Sequence, residues 1–337
     1  MGGRPGTYGK KKKGVSNLIT VLVTTGMCLG CWYLGFSESV GLPLNPGHNA
    51  TPLWRSLCLL LTEKAFILYT VGLFLLLFTS FLIQRGSFIL LIIKGKTILP
   101  FLFVFLLNST NLDIFPVQAA SVALLFLLAA FYELFRSYQG PINVGRIYNA
   151  IMYISVGSLL WTYLLWFIPL FWYGLYKFRL LSIRSFFASV LGFFTTYWFV
   201  LAWCVWRHDY SPLTVSIQNL TNISLFSLKD SAPFESLVPF SIIVFIVISV
   251  YVILRDLNAL RTRQFFMFLL VFSVYSFLLI FLYEHENANM LSVFYIPASI
   301  LLAYLFSSRY GFISYLFYYS FLVFLFILFI LRLWNTL

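Results

Sequence analysis

The chain has 337 residues, 61% of them hydrophobic, 20% aromatic and only 9% charged, with a mean hydropathy of +0.93, whereas soluble domains carry about 25% charged residues. Too little polar surface is available to cover such a chain in water, so lipid is its solvent, and soluble-enzyme and nucleic-acid-binding classes are excluded. The formal charge of +12 follows the pattern of a membrane topology rather than that of a polyanion-binding surface.

Residues 1–17 are polar and glycine-rich with four consecutive lysines, Lys10 to Lys13; they read as a cytoplasmic basic tail. No small-x-small cleavage pattern ends the apolar run that follows, so that run is expected to be an uncleaved first helix, about 18–36. Residues 18–337 are expected to form a single transmembrane domain with short loops. Its fold class is an all-α polytopic bundle of about 11 helices, N-terminus in and C-terminus out. After an outer loop the second helix covers about 58–83, and Arg85, Lys94 and Lys96 bracket a short apolar piece along the inner interface. A proline-interrupted third helix runs to about Leu107, and the fourth spans about 116–135. Gly140–Arg184 then reads as a hairpin of two short helices, about 147–160 and 162–177, with basic residues fencing both ends on one side. Helix seven, about 186–206, leads into the longest outer loop, 207–236, and four more segments follow at about 237–254, 264–283, 290–306 and 311–331.

This layout puts 17 of the 22 Lys and Arg inside, four outside and Lys64 within a helix, the asymmetry that orients helices in a membrane. Acidic residues show the opposite bias. Glu38, Asp113, Asp209, Asp230, Glu235, Glu284 and Glu286 fall in outer segments, as do His48, His208 and His285. One explanation is that loops hold polar residues because lipid-embedded helices do not. The other is an outward-facing site for a substrate or ion, with a divalent metal as its cofactor. His208 and Asp209, and Glu284, His285 and Glu286, are the local clusters that would build it.

Other features read as structural. Cys28 and Cys31 share one face of the first helix, which fits packing. Glu63-Lys64 is an internal ion pair or a pair snorkelling to the interface. The sequons at Asn49, Asn108, Asn219 and Asn222 are expected in outer loops, and Trp and Tyr at helix ends read as interfacial anchors. Between Arg146 and Lys177 the hairpin has no titratable group apart from tyrosines, so its expected role is architectural.

The run KTILPFLFVFLLNSTNLDIFP, the fourth helix and NAIMYISVGSLLWTYLLWFIPLFWYGLYKFRLLSIRSF resemble an uncharacterised multi-spanning inner-membrane protein family of Bacteroidota. More distantly, the order of short helices resembles the membrane core of type C glycosyltransferases, which use polyprenyl-phosphate sugars. That resemblance implies Glu38 as a catalytic base and Asp113 as a second, metal-associated acid. The first outer loop is short and has Glu where those enzymes have Asp.

Three readings stand at this level. The first is an inner-membrane protein handling a polyprenyl-linked glycan at the outer face. The second is a non-catalytic assembly or structural partner of other cell-envelope proteins. The third is a transporter, for which paired broken helices in two similar halves are the expected sign; no internal repeat is visible.

Overall fold

The computed structural model describes residues 18–39, 50–61, 65–90, 97–115, 117–138, 143–224, 260–308 and 312–336. Among them are twelve α-helices: α1 (Leu18–Ser39), α2 (Pro52–Leu61), α3 (Ala65–Ile89), α4 (Leu99–Ser109), α5 (Ala119–Arg136), α6 (Val144–Ser158), α7 (Phe167–Lys177), α8 (Ile183–Arg207), α9 (Ser211–Thr221), α10 (Leu260–Leu282), α11 (Asn287–Ser308) and α12 (Phe312–Thr336). Three 3-10 turns, Leu112–Ile114, Thr162–Trp166 and Glu284–Glu286, interrupt the connections.

Seven helices, α1, α3, α5, α8, α10, α11 and α12, are long and apolar enough to cross a membrane. The chain is therefore a multi-pass α-helical membrane protein. The remaining expected crossings divide in two. α4, α6 and α7 have 11, 15 and 11 residues, about 16–22 Å of helix against roughly 30 Å of hydrocarbon, and the segment 237–254 lies outside the described residues. The expected second helix is two, because α2 ends at Leu61 and α3 begins at Ala65. α3 continues through Arg85 to Ile89, so the first part of the expected interfacial piece is helical; 91–96 lie outside the described residues, as do Glu63 and Lys64. The expected outer loop 207–236 contains α9.

α11 is the centre of the bundle. Its membrane segment is 94% buried, against 22% for that of α8, and it packs on α10, α4 and α5. A helix buried all round belongs in a core; its small residues Ala298, Ser299 and Ala303 are completely buried and allow close approach. Pro297 lies inside it, where its ring removes one backbone donor. α8 presents Leu191, Phe194, Trp198 and Phe199 outward, a surface that is stable only against lipid. All four cysteines, Cys28, Cys31, Cys58 and Cys204, are buried free thiols.

The most extensive helix–helix contact among the described residues is that of α6 with α8, and Gly192 lets it form. A Cβ built there would stand 2.7 Å from the Tyr148 carbonyl oxygen and 3.3 Å from the Met152 nitrogen. Only hydrogen at this position lets the two backbones meet. Each helix also has a sequence-local start: the Asn143 side chain accepts from the Arg146 N–H at the head of α6, and Ser182 from the Ser185 N–H at the head of α8.

Contacts along the helices define two ends. At one, Arg146 donates to the Arg136 carbonyl at 3.3 Å and lies 4.0 Å from Glu133. Phe178, just past α7, packs on Phe135, Tyr138 and Phe265. Both ends of the Asn143–Arg184 stretch thus return to one side, which carries Arg85, Arg136, Arg146, Lys177, Arg179, Arg184 and Arg263. The opposite end, which we call the rim, carries Arg55, Arg207 and Arg332 among the described residues. α1 and α12 meet near their first turns, where Thr24 is hydrogen-bonded to Tyr318 and Thr20 to Tyr319.

Candidate functional site

The rim is built where three connections meet. After α6 the chain turns at Leu159–Leu160 and enters the 3-10 turn Thr162–Trp166, which runs directly into α7. The turn Glu284–Glu286 links α10 to α11, and Ser224 follows α9. Ser224 and Tyr283 form an isolated parallel bridge, with the Glu284 N–H donating to the Ser224 carbonyl at 3.1 Å. The Tyr283 hydroxyl donates to the Leu220 carbonyl at 2.9 Å and the Tyr275 hydroxyl to the Trp166 carbonyl at 2.5 Å. Burial pushes the Tyr283 hydroxyl above its ordinary pKa, so it holds this contact as a donor.

His285 stands on this frame with its side chain exposed. Its Nε2 is 2.7 Å from the Tyr163 hydroxyl and its Nδ1 is 2.5 Å from the Ser224 Oγ. A neutral imidazole has one donor and one acceptor nitrogen, so one hydroxyl donates to the ring and the other accepts from it. The three side chains form a continuous hydrogen-bonded chain whose direction reverses when the tautomer changes. The neighbouring Ser224 hydroxyl is in the position of a group that a base activates.

Glu286 faces the other way. Its Oε2 accepts from the Trp161 Nε1–H at 3.0 Å and from the Asn289 Nδ2–H at 2.6 Å. The Asn289 Oδ1 in turn accepts from the Ala120 N–H at 3.3 Å, which satisfies an orphan donor at the head of α5. Glu286 therefore ties the hairpin turn to the first turns of α11 and α5. This is a positioning role beside the exposed histidine.

The other expected site residues separate. His208 has a left-handed backbone, φ 53°, and ends α8, with the Asp209 N–H returning to the Cys204 carbonyl at 3.2 Å. The exposed Asp209 carboxylate accepts from the Ser211 N–H at 2.9 Å and the Ser211 hydroxyl at 3.1 Å. These bonds, the backbone one first, hold its pKa below the ordinary carboxylate value. This pair makes a turn and starts α9. It lies at the opposite end of α9 from Ser224, about 16 Å away by helical rise, so the two expected clusters do not converge. Among the described residues no three His, Cys, Asp or Glu side chains are placed to hold a metal ion.

Glu38 falls in the last turn of α1 and Asp113 in the turn Leu112–Ile114; the side chains of both lie outside the described residues. Their segments are neighbours, since Gly35 packs against Phe115 and Leu112. Buried Arg332 reaches the same turn and donates to the Asn111 side chain. Two expected outer-loop sequons are helical and buried: Asn108 in α4 and Asn219 in α9.

Sequence reasoning missed Trp161, Tyr163, Ser224 and Asn289. Trp161 and Tyr163 come from the hairpin taken as architectural, and the cluster WTYLLW at a hairpin tip was their signal. Ser224 and Asn289 gave none. No family model, no curated protein and no solved structure matches this chain.

Proposed function

We propose that this protein crosses the inner membrane about eleven times with its rim outside, and that it handles the glycan of a polyprenyl-linked substrate there. The distribution of Lys and Arg between the two ends supports the orientation. The observation that carries the function is the Tyr163–His285–Ser224 chain, which runs from buried Tyr163 to exposed His285. Sugar hydroxyls and their phosphate linkages need proton transfer at a polar, lipid-adjacent surface. The imidazole takes a proton from a hydroxyl on one nitrogen and returns one from the other, with Tyr163 and Ser224 as relays. The resemblance to type C glycosyltransferases adds Glu38 as a base and Asp113 as a second acid, both on segments at the α1 side of the rim.

The test is complementation of a deletion strain, with lipid-linked glycan measured in membrane extracts. His285→Ala is expected to insert and accumulate normally but to fail to restore the glycan profile. If His285→Ala, Glu38→Ala and Asp113→Ala all complement fully, the catalytic reading is wrong and the protein is an assembly partner of envelope proteins. Orientation has its own measurement: an impermeant thiol reagent added outside should label a cysteine placed at Ser216 and not one at Ser182.

A further inference from the structure

Beside the rim, a cavity of about 650 Å³ lies between α2, α6, α8 and α9, within the roughly 300–1,000 Å³ typical of small-molecule sites. Leu159 and Tyr148 mark its extent along α6, about 16 Å at 1.5 Å per residue. That is the depth of one leaflet, half of a hydrocarbon core of roughly 30 Å. Its walls at this depth are apolar, including Met152, Val200 and Phe199.

Charge separates it from an ordinary lipid-facing furrow. The cavity's upper wall includes Trp203, over whose ring the Arg207 guanidinium lies at 4.9 Å, and Ser56, which follows exposed Arg55 on α2. Two of the three arginines at the rim among the described residues therefore flank its mouth.

We infer that this cavity binds an anionic glycerophospholipid of the rim-side leaflet. An acyl chain fills the space between α6 and α8, and the phosphate faces Arg55 and Arg207. This goes beyond the reading of the rim and does not depend on it.

The experiment uses the full chain purified in mild detergent. Native mass spectrometry and thermal stability are recorded with added phosphatidylglycerol or with phosphatidylethanolamine of the same acyl chains. The wild type is expected to retain phosphatidylglycerol in preference, and Arg55→Gln with Arg207→Gln to abolish that preference. Val200→Trp, which fills the cavity, should eliminate retention. Equal retention of the two lipids by the wild type, or unchanged retention in Val200→Trp, overturns the inference. His285→Ala should bind phosphatidylglycerol as the wild type does; a loss there would assign the lipid to the rim instead. Full complementation by His285→Ala would remove the rim reading and leave this site standing.

Discussion

Replacing Gly192 with alanine tests the α6–α8 contact most directly. The new Cβ would stand 2.7 Å from the Tyr148 carbonyl oxygen, where an ordinary carbon–oxygen contact is about 3.3 Å or more. The obstacle is backbone on a packed helix rather than the tip of a side chain, so the helices must part by roughly 0.6 Å. A gap of that size forfeits a quarter to a half of each atom pair's attraction of about 0.1–0.2 kcal/mol. Over the few dozen pairs of such an interface the loss is about 1–3 kcal/mol, in line with other overpacked cores. Alanine returns about 0.5–1 kcal/mol through its better helix propensity, leaving a net destabilisation of about 1–2 kcal/mol. Gly30 on α1 is the control, since a Cβ there meets nothing within 4 Å, and Gly30→Ala should be neutral or slightly stabilising. Unfolding of the purified protein by titration with a denaturing detergent, followed by tryptophan fluorescence, reads both. If Gly192→Ala unfolds no earlier than Gly30→Ala, the close backbone contact is not what holds α6 on α8.

Two further outcomes follow from local geometry. Ser182→Ala removes the side-chain acceptor from the Ser185 N–H and should cost about 0.5–2 kcal/mol in the same titration, with Ser182→Asn recovering most of it. A double-mutant cycle of Trp161→Phe with Glu286→Ala should give a coupling of about 1–3 kcal/mol, because the indole N–H donates to that carboxyl at 3.0 Å; additive effects would mean that Glu286 does not hold the hairpin turn.

The membrane class was legible because apolar stretches of spanning length need no tertiary information to be recognised. The identity of the central helix was not. The α11 segment has a mean hydropathy of 1.8 and is 94% buried, while Phe66–Ile89 in α3 has 2.4 and is 33% buried. Hydropathy does not rank burial in a bilayer, because lipid accepts apolar side chains as readily as a protein core does; small residues such as Ala298 and Ala303 carried the information. Glu284, His285 and Glu286 were visible as a cluster. Their division into an exposed relay and a structural clamp depends on Trp161 and Tyr163, which arrive from 125 and 122 positions away. His208 and Asp209 look the same in sequence, yet a left-handed residue and a hydrogen bond to Ser211 make them a helix junction.

The burial of α11 bears on how the chain is made. Its neighbours α4 and α5 leave the ribosome long before it does, and α10 only just before. The faces that will enclose α11 are therefore synthesised first and lie against lipid until the last third of the chain arrives. A nascent chain stopped after Leu282 would hold an open socket in the bilayer, and the protein threads its axle late, with only α12 still to follow. Conditions that slow translation before α11 is complete should thus prolong the exposure of the early helices to membrane proteases, whereas a pause after α11 has inserted should add little.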